Sequence, residues 1–435
     1  MRSLYAGVSG IRSHQTRMDV IGNNIANVNT TGFKSSRVTF TDVFNQTLSS
    51  GSVLTNPQQI GLGVAVGSTD LITDQGSFQM TGRSLDLAIS GDGLFVVKGA
   101  DGEILYTRLG AFDWNAEGYL FCPALGMTVQ GWMADAEGNI GRTDRATMTD
   151  IQLVRGDVSL PQATQNATFK GNLDAAAEVG DTYITTMTAY DSLGRPINIA
   201  LRFTKNDNGW VVDYQHDYSQ PVNKKDPSQG LRWTTAKTVN DGPRTLLRFD
   251  TEGKLIINEN QPRSYLAELV IEDPSGAAAP LRIKVDFSQL TQAYDASAGP
   301  GVSRSTVQID SRDGRPMGTL EAVYVNELGQ ITGRYTNGDS RLIAQIALAN
   351  FNNPAGLMKE GNSTFAESPA SGIPQIGTPG SGGRGTLAPG NLEGSNVDLA
   401  QQFTEMILTQ RGYQASARLV STADDMLQEI INLKR

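Results

Sequence analysis

Both ends of this chain carry large apolar residues spaced three and four apart, although the sequence between them reads as β-structure. At the start these are Leu4, Val8, Ile11, Met18 and Ile25; at the finish they are Leu399, Phe403, Met406, Tyr413, Ala417, Val420, Leu427 and Ile431. Spacing of this kind draws one apolar stripe along a helix, and a stripe in water needs a partner. Two stripes at opposite ends of a chain predict terminal helices that pack on each other and on neighbouring copies. The pattern is that of a self-assembling subunit.

The first helix is expected over residues 1–28, where Asn27, Asn29, Thr30, Thr31 and Gly32 supply turn chemistry that ends it. A polar, Gly-rich stretch follows and reads as an extended connector over 29–69. From about Thr69 onward, short alternating runs are punctuated by Asp92-Gly93, Asp101-Gly102, Glu117-Gly118, Asn208-Gly209, Glu252-Gly253, Asp313-Gly314 and Asn337-Gly338. Regular hairpin signals of this sort are written by all-β domains. Residues 368–395 are crowded with Ser, Pro and Gly and read as the returning connector. Helix chemistry resumes over 396–435: Asn396 can cap, and Asp398 puts a negative charge in the first turn.

If the two helices pair, the β-domains between them are nested insertions. The expected fold is therefore mainly β with helical termini: terminal α-helices pairing as a coiled coil, with two all-β domains inserted between them. The inner domain is placed at 70–146 with 317–367, and the outer domain at 147–316.

Charge and composition narrow the function classes. The 435 residues carry a net charge of −9, which argues against a nucleic-acid partner needing a basic face. No run of about 18 apolar residues is present, so no membrane insertion is expected. The opening Met1-Arg2-Ser3-Leu4-Tyr5-Ala6-Gly7-Val8 runs into polar residues without the apolar core or cleavage site of a signal peptide. Cys122 is the only cysteine, so it forms no disulfide within the chain and is expected to pack as a structural thiol.

Candidate chemistry is sparse. His14 and His216 are the only histidines, and neither has Cys, His or carboxylate neighbours at metal-ligand spacing. Ser90-Gly91-Asp92-Gly93 lacks the Lys-Ser/Thr ending of a phosphate loop, and Asp135-Ala136-Glu137-Gly138-Asn139-Ile140 lacks the later bidentate Glu of a calcium loop. Both are expected to be turns. No catalytic residue, metal or cofactor is expected. Carboxylates alone leave a glycan hydrolase or adhesin open as a class-level alternative.

Three ordered segments go further. Asn23, Asn24, Ala26, Asn27, Gly32 and Phe33, within Asn23-Asn24-Ile25-Ala26-Asn27-Val28-Asn29-Thr30-Thr31-Gly32-Phe33-Lys34, are similar to the N-terminal signature of bacterial flagellar rod and hook proteins. Ser395 to Arg435, with Asn396, Val397, Asp398, Gln410, Arg411 and Tyr413, resembles the C-terminal signature of the same family, and Leu85 to Val97 resembles its first conserved strand region. The resemblance implies a non-enzymatic helical homopolymer, extracellular on the flagellum and exported through a type III apparatus without a cleaved signal peptide. It implies the distal rod, hook cap and hook–filament junction proteins as partners. Length favours the hook, a curved tube acting as universal joint between motor and filament, with the distal rod protein as the alternative. Some spirochaete hook proteins are cross-linked through a cysteine and a lysine; Cys122 is not placed at that position, and no cross-link is expected.

Overall fold

The computed structural model describes residues 2–49, 56, 58–135, 138–153, 156–217, 233–238, 244–256, 265–271, 278–294 and 305–433. It is mainly β, with two long helices near the termini: α1, Arg2–Ala26, and α2, Leu399–Leu433. They run antiparallel, since Gly7 faces Val420, Gly10 faces Ser416 and His14 lies over Gly412. Farther along, Arg17 meets Glu405 and Asn24 meets Gln402. Glycine inside a helix costs about 1 kcal/mol relative to alanine. Here closeness requires it: a Cβ on Gly7 would sit 2.7 Å from Val420 Cγ2, one on Gly10 2.8 Å from Ser416 Oγ, and one on Gly412 2.5 Å from the His14 ring.

The cap of α2 differs from expectation. Asp398 is the capping residue, its Oδ1 accepting from the N–H groups of Ala400 (2.8 Å) and Gln401 (3.2 Å). The Asn396 side chain is occupied elsewhere: it accepts from Ser35 N–H at 2.8 Å and donates to the carbonyls of Ile72 (2.9 Å) and Asp74 (3.1 Å).

The segment after α1 contains more structure than a connector. Strands β1, Ser36–Asp42, and β4, Val64–Leu71, pair antiparallel with a bulge at Thr39/Phe40, and between them β2, Asn45–Ser49, pairs with β3, Gln58–Gly61. The Ser/Pro/Gly-rich return is likewise ordered into short strands. Gln375–Gly377 pairs with Leu348–Asn350, Thr386–Pro389 with Leu87–Ser90, and Asn391–Glu393 with Phe78–Met80. Its small residues serve close backbone approach and turns between strands, which composition alone cannot distinguish from a linker.

Chain packing divides the described residues into two compact units, 1–155 with 322–334 and 340–435, and 156–321 with 335–339. The first holds both helices and a β-body whose core includes Val96, Tyr106, Trp132, Ala347, Ala349 and Phe365. The second is built on two sheets of five strands, with Phe169, Phe203, Trp210, Leu269, Ile283 and Phe287 in one core. Strand Leu281–Ala293 buries alternate residues from Leu281 to Phe287 and pairs parallel with Asn166–Asp174, a pleat-period pattern expected of a sheet with one covered face.

The second unit begins later than residue 147 because Thr149 and Asp150 pair with Gly131 and Gln130 in the first. It continues past 316 because Gly318 and Thr319 pair with Ser159 and Val158.

Candidate assembly surface

The sequence stripes and the helix seam overlap only in part. The most buried positions of the helix pair are small or polar: Gly7, Gly10 and Asn24 on one helix, Gln402, Thr409 and Ala423 on the other, with Ile21 the one large apolar side chain among them. Of the predicted residues, Val420 lies in the seam against Gly7, Leu4, Ile11, Met18, Ile25, Met406, Ala417 and Leu427 are half-buried, and Val8, Leu399, Phe403, Tyr413 and Ile431 are exposed. Tyr5, Ile407, Leu408, Leu419 and Met426 are exposed as well and escaped the heptad reading. The helical glycines at 7, 10 and 412 were the available signal for the true seam.

Helical geometry sorts the exposed residues of α2. At 100° per residue, Leu408, Leu419 and Met426 fall on one side of the α1-facing stripe, while Leu399, Phe403 and Ile407 sweep from its other side round to the face opposite α1. Farther along the helix that opposite face turns polar, with Arg411, Gln414, Arg418, Asp425 and Glu429. Within one chain, neither flank is covered.

The signature residues hold the base of this helix pair. Buried Asn24 donates to Ser36 O (2.8 Å) and Gln402 Oε1 (3.0 Å), and its Oδ1 accepts from Ser36 N–H (3.1 Å). Asn27 donates to Asn23 O at 2.9 Å and accepts from Thr30 Oγ1 at 3.1 Å, closing the turn after α1. Gly32 has φ +69°, and a Cβ there would lie 2.8 Å from Leu109 N. The Phe33 ring lies 5.1 Å below the Lys359 ammonium. Asn23, Ala26, Gln410, Arg411 and Tyr413 point to solvent, and Val397 is half-buried.

Behind them, Glu393, with no exposed side-chain surface, receives Lys34 Nζ at 2.7 Å and Arg108 Nη1 at 3.0 Å. It also accepts from Gly76 N–H at 2.9 Å. Arg108 additionally donates to the carbonyls of Ile89 (3.2 Å) and Gly91 (2.8 Å), and Lys34 to Asp74 O (2.7 Å). Burial pushes the Lys34 ammonium below its ordinary range; the Glu393 charge opposes that shift and the Arg108 charge adds to it. One carboxylate thus ties the end of the N-terminal signature, the early β-body and the returning strand.

Elsewhere the candidate chemistry resolves into structure. Cys122 is buried and its thiol is pushed up in pKa by burial. His14 lies edge-on to Phe40 at 5.5 Å, and burial, then the Arg17 charge, lowers its imidazole below 6.5. His216 is on strand Gly209–Asp217 of the second unit. Gly91 and Gly93 both have positive φ in a turn, and Asp135 Oδ1 accepts from Asn139 N–H at 2.7 Å; Ala136 and Glu137 lie outside the described residues. Among the described residues, no three His, Cys, Asp or Glu side chains gather as a metal site, and no helix is long and apolar enough to cross a membrane.

Comparison with known proteins joins these observations. Residues 4–34 match the model "Flagella basal body rod protein" and 388–433 match "Flagellar basal body rod FlgEFG protein C-terminal". The β-segments match "Flagellar hook protein FlgE/F/G D1 domain" over 88–172 and "Flagellar basal body protein FlaE D2 domain" over 159–303. Over its whole length the chain is 38% identical to the flagellar hook protein FlgE of Borreliella burgdorferi, 100% of each being covered. The chain belongs to the flagellar hook protein FlgE family.

The hook protein of Escherichia coli is 32% identical, with 98% of each chain covered. A solved hook protein, FlgE2 of Helicobacter pylori, shares 14% identity at TM-score 0.46, over 71% of this chain and 98% of that one. Membership makes the chain a structural component of the flagellum that self-assembles, and a hook subunit by function. One expectation needs correcting. The basal-body rod protein FlgG of Bacillus subtilis is 30% identical over 442 residues, with 100% of both chains covered, so length does not by itself separate hook from rod.

Proposed function

We propose that the chain polymerises through its two terminal helices into the curved tube of the hook, a universal joint that passes torque from rod to filament without a chemical step. The observation that carries this reading is the mismatch on α2: the α1-facing seam is small and polar, while Phe403, Ile407, Leu408, Leu419 and Met426 stay exposed. Burying each such side chain contributes about 1.5 to 3 kcal/mol, and neighbouring copies are what can bury them. The predicted stripe residues Leu4, Val8, Ile11, Met18 and Ile25, with Leu399 through Ile431, then act on the flanks and outer faces of the helix pair.

The signature Asn and Gly residues fix the direction in which the helices leave the β-body. The outer β-unit supplies contacts that select among closely spaced packings, which bending of a rotating joint requires. The chain travels to the cell exterior through the type III apparatus without a cleaved signal peptide. It meets the distal rod protein at one end, and the cap and junction proteins at the other.

Phe403→Asp and Leu408→Asp, expressed in a strain lacking its own hook protein, are expected to give soluble subunits with native β-sheet circular dichroism and no hooks on isolated basal bodies. Normal hooks from both variants would exclude helix-driven assembly.

A further inference from the structure

Asparagine followed by glycine occurs twice in the chain, at Asn208-Gly209 and at Asn337-Gly338. Both pairs sit in turns of the second unit, yet the fold treats them differently. Asn337 is tied at both ends of its carboxamide: Nδ2 donates to Pro316 O at 2.9 Å, and Oδ1 accepts from Asp339 N–H at 3.0 Å. The next amide is engaged as well, Gly338 N–H donating to Tyr335 O at 3.0 Å. The side chain is half-buried, with Gly318 packed against its Cγ.

Asn208 has none of these restraints. It stands at the tip of the hairpin between strands Pro196–Asn206 and Gly209–Asp217, in the loop Asp207-Asn208. Its side chain is exposed, and among the described residues no group hydrogen-bonds its carboxamide. Asn206 and Gly209 form the last rung of the ladder, the part of a hairpin that opens at least cost. Glycine at 209 is dictated by the backbone: its φ is +137°, and a Cβ there would run into Leu247 O. The turn therefore sets a free carboxamide directly before the residue type that leaves its own nitrogen least shielded.

We propose that Asn208 is a site of spontaneous covalent modification, converting to aspartate and isoaspartate in the folded chain. Water or hydroxide takes the proton from Gly209 N–H, and that nitrogen attacks Asn208 Cγ. The new C–N bond forms as the Cγ–Nδ2 bond breaks; the side-chain nitrogen takes up a proton from solvent and leaves as ammonia, giving a cyclic imide. Water then adds to one imide carbonyl and breaks its bond to nitrogen. Opening at the backbone carbonyl gives isoaspartate, with the main chain routed through Cβ and Cγ, and opening at Cγ gives aspartate. The balance needs only water.

Both products add a negative charge beside Asp207, and isoaspartate also lengthens the main chain where Asn206 and Gly209 close the ladder. The mark falls on the second unit and leaves the helix pair as it was.

The purified full-length chain is to be held at mildly alkaline pH, one sample folded and one in guanidinium chloride. Aspartate and isoaspartate at both sites are followed over time by peptide mass mapping and isoaspartyl methyltransferase labelling. The denatured sample supplies the rate that local sequence alone allows at each site. Folding is expected to slow Asn337 by about tenfold or more relative to Asn208, the factor that three hydrogen bonds of ordinary net strength impose. Asn208→Gln is expected to abolish the signal at that site alone. A folded chain that slows Asn208 as much as Asn337, or that leaves Asn208 unconverted while the denatured sample reacts, would overturn the proposal.

Discussion

At the scale of single residues, the helix pair depends on atoms that are absent. Gly412 lies under the His14 ring and Gly7 against Val420, whereas a Cβ on Gly22 would meet nothing within 4 Å. Gly412→Ala therefore sets a helix-propensity gain of about 1 kcal/mol against an overpacking penalty of about 1–3 kcal/mol. Gly22→Ala takes the gain alone. Thermal unfolding followed at the helical circular-dichroism band is expected to show Gly412→Ala below wild type and Gly22→Ala at or above it. The reverse order would mean that the helices are not held as closely as Gly7, Gly10 and Gly412 indicate.

Between helices and body, the junction elements matter more than their composition suggests. Strand Asn391–Glu393 lies in a segment that reads as a linker, yet it delivers the carboxylate that Lys34 and Arg108 share. Because removing one partner of a buried ion group leaves uncompensated charge, Glu393→Gln is expected to cost about 3–5 kcal/mol. The urea midpoint of the first unit should fall accordingly, and an unchanged midpoint would show the triad to be dispensable.

The same elements show what the residues disclosed in advance. Helix existence, the β-body and its turn pairs were legible because they depend on local periodicity and on Gly after Asp, Glu or Asn. The α2 cap was misassigned because Asn396 and Asp398 are equally good cappers and only tertiary context sends Asn396 to Ser35. The seam was missed because a heptad reading counts large apolar residues. Close helix packing is written in glycine, and large residues were left free for contacts outside the chain. The Lys34–Glu393–Arg108 cluster has no sequence signal, since its members come from three distant segments.

For the whole molecule, chain topology separates the helix-bearing first unit from the second. The chain enters the second unit at Gly156 and leaves it at Glu321, apart from the short return Tyr335–Asp339. The excursion begins and finishes in the first unit, so replacing residues 156–321 with a short Gly/Ser linker leaves the helices and the rest of the first unit in the chain. Such a variant is expected to be exported and to form tubes that are straight or irregular. Wild-type curvature in electron micrographs, or no tube at all, would refute this division of roles.

The central claim is that the exposed flanks of α2 become interfaces when copies assemble. It is tested most directly by maleimide labelling of Leu408→Cys and Leu419→Cys, each with Cys122→Ser, in the monomer and in isolated hooks. Both cysteines are predicted to react readily in the monomer, where Leu408 is 64% and Leu419 is 45% exposed, and to be protected in the hook. Equal labelling in monomer and hook would contradict the account.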